Sequence, residues 1–230
     1  MLHMRPCRTA ICSVCEFEAS FYDDDVHLPI DSDLCGLSKD ADSLIGLTVS
    51  GPHLKFRQAA ESDAAFILAL RLDPHKNAYL SPVNNDIAAQ AAWISRAAND
   101  AGQLYFIIEA DGRPVGTVRL YDRRGRSFCW GSWVLVEDAP KSSAVESTLM
   151  VYSLGLHLRF ETAHFEVRKG NVKVWQYHER LGAQRVSEDD ENFHYVMSNS
   201  AIMSVLDHYG SRGPVRINMP QGEADTVGSS

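Results

Sequence analysis

The sequence predicts a mixed α/β chain: a central, mostly antiparallel sheet with helices on both faces. Three observations carry this. Leu104–Ala110, Pro114–Tyr121 and Ser127–Val136 are strand-like runs, and turn signals at Asp111-Gly112 and at Arg123–Arg126 join them, so consecutive strands must run antiparallel. The period then changes: Val145, Leu149, Tyr152 and Leu156 recur at helical spacing, and the short strand His164–Arg168 follows, which calls for a parallel crossover. With 45% hydrophobic and 23% charged residues, a chain of 230 residues can bury one core of ordinary domain size.

The remaining elements follow in order. His53–Gln58 alternates apolar and polar side chains, as a strand with one buried face does. Glu61–Leu72 reads as a helix with Ala65, Leu68 and Leu72 on one side, ended by Asp73-Pro74. Ser81-Pro82 and Asn84-Asn85 are loop, and Asp86 is placed to N-cap a helix through about Ala98 that carries Ile87, Ala91 and Ile94. Val172–Leu181 is a helix stopped by Gly182. Ala183–Val186 and Asn192–Met197 are the last two strands.

Charge divides the chain into a 1–50 extension, a 51–200 catalytic-sized domain and a 201–230 tail expected to be poorly ordered. Residues 1–50 carry three Lys/Arg against nine Asp/Glu, whereas residues 51–200 carry 17 against 18. A nearly neutral domain lacks the basic face that phosphate backbones require, so nucleic acid is not the expected partner. No apolar run reaches the roughly 20 residues a membrane span needs, and residues 1–10 lack a secretory signal core, so a cytoplasmic protein is expected. Four of five cysteines (Cys7, Cys12, Cys15 and Cys35) lie in the extension. The Cys12-x-x-Cys15 pair could hold zinc, but no second such pair follows, and idle reduced thiols are the favoured reading, with no metal expected. Arg119, Arg123, Arg124 and Arg126 form a local basic run, read as a solvated hairpin or, more sharply, as a contact for an anionic substrate group.

One segment has a specific look: Asn171-x-x-Val174-x-x-Tyr177-His178-Glu179-Arg180-Leu181-Gly182-Ala183. With the element order, with Phe106-Ile107-Ile108 followed by Pro114-Val115-Gly116, and with Trp130-Gly131-Ser132-Trp133, it resembles the GNAT acetyltransferases over residues 53–199. The aromatic patch is similar to the branches that acetylate nucleotide-linked amino sugars or protein N-termini. The resemblance implies a GNAT fold and an N-acetyltransferase that moves an acetyl group from acetyl-CoA, as co-substrate, to a primary amine. A protein N-terminal acetyltransferase and a non-catalytic acyl-CoA or partner-binding domain are the alternatives. A small-molecule amine is the implied partner, and a homodimer is left open.

The resemblance also assigns roles. His178 stands where the family commonly has a tyrosine that protonates the leaving thiolate, and an imidazolium would do so at lower cost than a phenol; Tyr177 is read as core. Asn171 is implied to hold the pantetheine arm, with N-capping as its ordinary role. Backbone amides on the Trp133–Val136 strand, at Val134 and Val136, would face the cofactor. The family's glycine-bearing pyrophosphate loop is replaced here by Glu137-Asp138-Ala139-Pro140-Lys141-Ser142-Ser143-Ala144. Lys141, Ser142, Ser143 and Ala144 could still present charge and helix N-terminal amides to phosphate. Arg168, Lys169 and Lys173 are read as ribose-phosphate contacts or as solvated surface. Glu146 is the candidate general base, with Glu109, Asp122 or an ordered water as alternatives. Trp130 and Trp133 are read either as core or as the lining of an acceptor pocket that stacks a sugar nucleotide.

Overall fold

The computed structural model describes residues 44–219. The elements are β1 (Thr48–Ser50), β2 (Leu54–Gln58), α1 (Ala64–Leu72), α2 (Ile87–Ala98), β3 (Leu104–Ala110), β4 (Arg113–Arg124), β5 (Ser127–Leu135), α3 (Ser143–His157), β6 (Thr162–Arg168), α4 (Val172–Arg180), β7 (Gln184–Glu188), β8 (Asn192–Met197), α5 (Asn199–Tyr209) and β9 (Arg216–Asn218). They build one nine-stranded sheet in the order β7-β8-β6-β5-β4-β3-β2-β1-β9, antiparallel throughout except where β5 meets β6. This is the mixed, mostly antiparallel sheet that the sequence predicts.

Local chemistry sets several boundaries as read from the sequence. Asp86 N-caps α2 by accepting from the Ala89 N–H at 2.9 Å. Asp111 and Gly112, at φ 50° and 75°, make the tight turn between β3 and β4. α1 and α2 cover one face through Ala64, Ile67 and Ile94, packed on Tyr105 and Ile107 of β3. α3, α4 and α5 cover the other, where Leu149, Tyr152, Leu181, Ile202 and Val205 join Phe106, Val118, Trp130 and Phe165 in the larger core.

The domain limits expected from charge are corrected at both ends. A cut at residue 50 would remove β1, whose Val49, with Leu47 just before it, is fully buried, and which pairs with both β2 and β9. A tail starting at 201 would contain most of α5 and all of β9. Ser198 N-caps α5 by accepting from the Ala201 N–H at 3.2 Å, and Ile202 and Val205 bury one side of it. The cysteines at 7, 12, 15 and 35 lie outside the described residues. Among the described residues, no helix is long and apolar enough to cross a membrane.

β4 and β5 approach each other unusually closely at Gly116. A Cβ there would stand 2.4 Å from the Val134 carbonyl oxygen and 2.7 Å from Leu135 Cδ2. Gly116→Ala is therefore expected to destabilise the fold by about 2 kcal/mol, as overpacking of a closed core does. A urea melt would show it as a lower midpoint at unchanged slope.

Candidate active site

The site begins where two strands part. β5 and β6 share three parallel rungs, Ser127↔Thr162, Phe128↔Ala163 and Cys129↔His164. Beyond Cys129, β5 stays paired with β4 as far as Leu135, and β6 stays paired with β8 as far as Arg168. A wedge-shaped gap therefore opens between Trp130–Leu135 and Phe165–Arg168. Its local cause is a bulge. Ser132 has φ 48°, the β4–β5 register shifts between Thr117 and Arg119, and the Thr117 hydroxyl donates to the Ser132 carbonyl at 2.7 Å, pinning the bulge. An extra residue of this kind bends a strand away from its neighbour.

The bulge also decides where the tryptophans point. Side chains three apart on a regular strand lie on opposite faces. The extra residue puts Trp130 and Trp133 on the same face, with ring centroids 5.5 Å apart, under α3 and α4. Trp130 is buried against Tyr152, Phe165 and His178. Trp133 is half-buried, lies against Tyr177, and donates its indole N–H to Ser147 Oγ at 3.1 Å. The core reading therefore holds for Trp130. Trp133 lines the α3–α4 side of the gap.

α4 carries His178 over the narrow end of the gap. Its imidazole lies 4.4 Å from the ring of Phe165 on β6 and 5.3 and 6.0 Å from Trp130 and Trp133 on β5, so it touches both diverging strands. It is 4% exposed, and its Nδ1 is buried with no partner. Burial pushes its pKa down to about 3. The ring is neutral at physiological pH, which corrects the imidazolium expected from the sequence while leaving the position intact. Tyr177 is not plain core: its hydroxyl shares a 2.9 Å hydrogen bond with Thr148 Oγ1 and donates to the Ala144 carbonyl at 3.2 Å. It ties α4 to the first turn of α3, and burial raises its pKa to about 12.

That first turn is the second half of the site. Ser142 is the N-cap of α3 and makes no side-chain cap bond, and the Ser143 N–H goes to the Pro140 carbonyl. Glu146 N–H is the first to reach back four residues, to Ser142. The N–H groups of Ala144 and Val145 are thus the orphan donors of the helix start, and the buried Ser143 hydroxyl beside them has no partner. The acidic loop does not oppose an anion here, because exposed Asp138 is held by Arg113 at 2.8 Å and Glu137 is exposed. Lys141 and Lys173 are exposed, whereas Arg168 and Lys169 pair with Glu191 and Glu188. Asn171 opens α4 without a side-chain cap bond, so its amide is not spent on capping.

Register corrects the strand amides. The Val136 N–H donates to the Val115 carbonyl at 2.8 Å, toward β4, and Val134 pairs with Thr117 on that same side. Alternation along a ladder turns the intervening Leu135 N–H the other way, into the gap. The amide open to the gap is therefore that of Leu135, while those of Val134 and Val136 face β4.

The candidate bases are engaged elsewhere. Glu146 is 5% exposed, and Oε1 accepts from the His53 and Leu54 N–H groups, each at 2.7 Å, while Oε2 meets His53 Nδ1 at 3.1 Å. It fastens α3 to the β1–β2 connection, on the side away from α4, which corrects the general-base reading. Glu109 accepts from Arg57, and Asp122 from Arg124.

The comparisons agree with this geometry. The model of the acetyltransferase (GNAT) domain matches residues 53–184. A solved structure of apo FdhC, a nucleotide-linked sugar GNAT, is 44% identical, with a TM-score of 0.64 over 70% of this chain and 96% of that one. Spermidine N-acetyltransferase from Vibrio cholerae in complex with CoA and spermine shares the fold at 15% identity, with a TM-score of 0.60 over 66% and 99%. A probable GNAT-family acetyltransferase from Chromobacterium violaceum does so at 11%, with a TM-score of 0.63 over 80% and 98%. No curated protein matches the chain. The split between β5 and β6, the free amides opening α3 and the domain match over most of the sheet lead to one conclusion: the chain belongs to the GNAT acetyltransferase family.

Proposed function

We propose that the protein transfers an acetyl group from acetyl-CoA to the primary amine of a nucleotide-linked amino sugar. The observation that carries the transfer is the buried, unpartnered Nδ1 of His178 at a gap whose other open donors are the Leu135 N–H and the α3 amides. These groups fit a thioester with an anionic tail. The acceptor class is supported by the 44% identity to a nucleotide-linked sugar GNAT. Bound acetyl-CoA supplies an activated carbonyl next to a good leaving group.

The chain's own residues do the rest. The Ala144 and Val145 N–H groups, at the positive end of α3, hold the pyrophosphate, with Lys141 near them. Asn171, free of capping duty, holds the pantetheine amide. The Leu135 N–H stabilises negative charge on the carbonyl oxygen during attack. As the nitrogen–carbon bond forms and the carbon–sulfur bond breaks, His178, in the tautomer with hydrogen on Nδ1, donates a hydrogen bond to the departing sulfur, which takes up the proton that the amine loses. The aromatic rings around it keep water out, which strengthens that bond.

A free-thiol assay with acetyl-CoA tests this against UDP- and dTDP-linked amino sugars, spermidine and peptide N-termini. Thiol release with a nucleotide-linked amino sugar, well above the other amines, is expected. Thermal stabilisation by CoA with no thiol release from any amine would instead mark a binding domain without turnover.

A further inference from the structure

On the face opposite α3 and α4, two arginines have no counter-charge among the described residues. Arg119 lies on β4, paired in register with Tyr105 on one side and with Gly131, the residue before the Ser132 bulge, on the other. Arg71 stands in the last turn of α1, near enough for its charge and that of Arg119 to act on each other. Every neighbour that holds them is neutral. Arg71 donates to the Ser81 carbonyl at 2.9 Å, and Arg119 donates to Gln103 Oε1 at 3.3 Å. The Arg119 guanidinium lies 4.0 Å from the ring centre of Tyr121 and 5.6 Å from that of Trp93. The Nε atoms of both are buried and have no partner.

Other arginines of this chain are treated differently. Arg57 is clamped by Asp63 and Glu109, Arg113 by Asp138, Arg126 by Glu161 and Arg185 by Glu179. Arg124 pairs with Asp122, and Arg123 donates to the Gly125 carbonyl, so the basic run read from the sequence is a solvated hairpin except at Arg119. Burial, with the charge of Arg119 adding to it, holds the Arg71 pKa below its ordinary value. Two half-buried cations near each other repel and lose hydration, a cost that the rings and carbonyl oxygens around them offset in part and a bound anion would relieve further. Guanidinium forks match phosphate oxygens in a bidentate way.

We propose that Arg71 and Arg119 form the subsite that grips the diphosphate of the acceptor, beside the apex of the β5–β6 gap and across the sheet from the α3 amides. The subsite rests on the amino-sugar reading for the identity of its ligand. It places the anion of the acceptor and the anion of the donor on opposite faces, so the two substrates enter from opposite sides and meet at the gap. Trp93 and Tyr121, flanking Arg119, offer ring faces to the rest of the nucleotide.

Calorimetric titration of the full-length protein, saturated with CoA so that the α3 amides are occupied, tests the subsite with UDP and dTDP as probes. At least one nucleoside diphosphate should bind, the matching nucleoside should not, and Arg119→Gln and Arg71→Gln should each weaken binding about tenfold or more. Arg123→Gln, on the hairpin, should bind as the parent does. Arg119→Lys keeps the charge without the fork and carries the test if the glutamine variant folds poorly; a loss of at least about threefold is expected there. Failure of the parent to bind either diphosphate, or equal binding by parent and variants, overturns the subsite. A kinetic arm separates this from the acceptor assignment. With a nucleotide-linked amino sugar, Arg119→Gln should raise KM about tenfold with kcat nearly unchanged, and the KM of the free amino sugar should not move. If no amino sugar is acetylated, the acceptor assignment fails while the titration still decides the subsite.

Discussion

His178→Phe is expected to lower kcat roughly 100-fold while leaving the CoA dissociation constant within about threefold, because it removes an interaction made to the departing sulfur rather than to the bound cofactor. Phenylalanine fills the same aromatic surroundings of Trp130, Trp133 and Phe165, so the gap keeps its shape. A structural histidine would behave differently: its loss would weaken cofactor binding and turnover together. Two pH readouts accompany the variant. The free enzyme should show no acid limb in kcat/KM near pH 6.5 that His178→Phe abolishes, since the folded ring titrates at about 3. Stability shows the same group from the other side. Below its ordinary pKa of about 6.5 the unfolded histidine takes up a proton that the folded one refuses until about 3. The contribution of neutral His178 is therefore complete above about pH 6.5 and is lost as pH falls, at about 1.4 kcal/mol per unit down to about 3. His178→Phe should flatten the loss between pH 7 and pH 5, and urea melts at the two pH values would measure it. A wild-type-like slope in the variant would mean that His178 is not the group refusing the proton.

The sequence made the order of elements readable because its signals are local. Alternation in His53–Gln58, turn residues at Asp111-Gly112 and the Gly182 stop each act within a few residues. α5 was missed by taking residues from 201 on as a tail, although Ile202, Val205, Leu206 and Tyr209 recur at helical spacing after the Ser198 cap. β1 and β9 were not readable: each has three residues and exists through pairing across 170 positions of chain, as in Thr48↔Asn218. The site divides along the same line. His178 and Asn171 sit in a continuous segment and could be placed from it. What failed depended on parity and on distant partners. Ladder register turns the Leu135 amide, rather than those of Val134 and Val136, away from β4. Arg71 gave no signal at all, because what singles it out is its nearness to Arg119 and the missing carboxylate, neither of which lies along the chain.

Glu146→Ala is expected to cost about 3 kcal/mol and to lower the melting temperature by about 9 °C. Most of that comes from two backbone donors: the His53 and Leu54 N–H groups each reach Glu146 Oε1 at 2.7 Å, and the latter bond is buried, so truncation leaves both without an acceptor. The ion pair with His53 adds little, because that imidazole is 67% exposed and its attraction is screened. A carboxylate acting as general base makes the contrary forecast: kcat collapses, a limb vanishes from the pH profile, and the melting temperature barely moves. Measuring turnover per folded molecule well below the melting transition separates the two. Near-parental kcat in a protein that melts several degrees lower assigns Glu146 to the staple between α3 and the β1–β2 connection. Parental stability with lost turnover would return it to the chemistry and require its carboxylate to leave both amides when substrate binds.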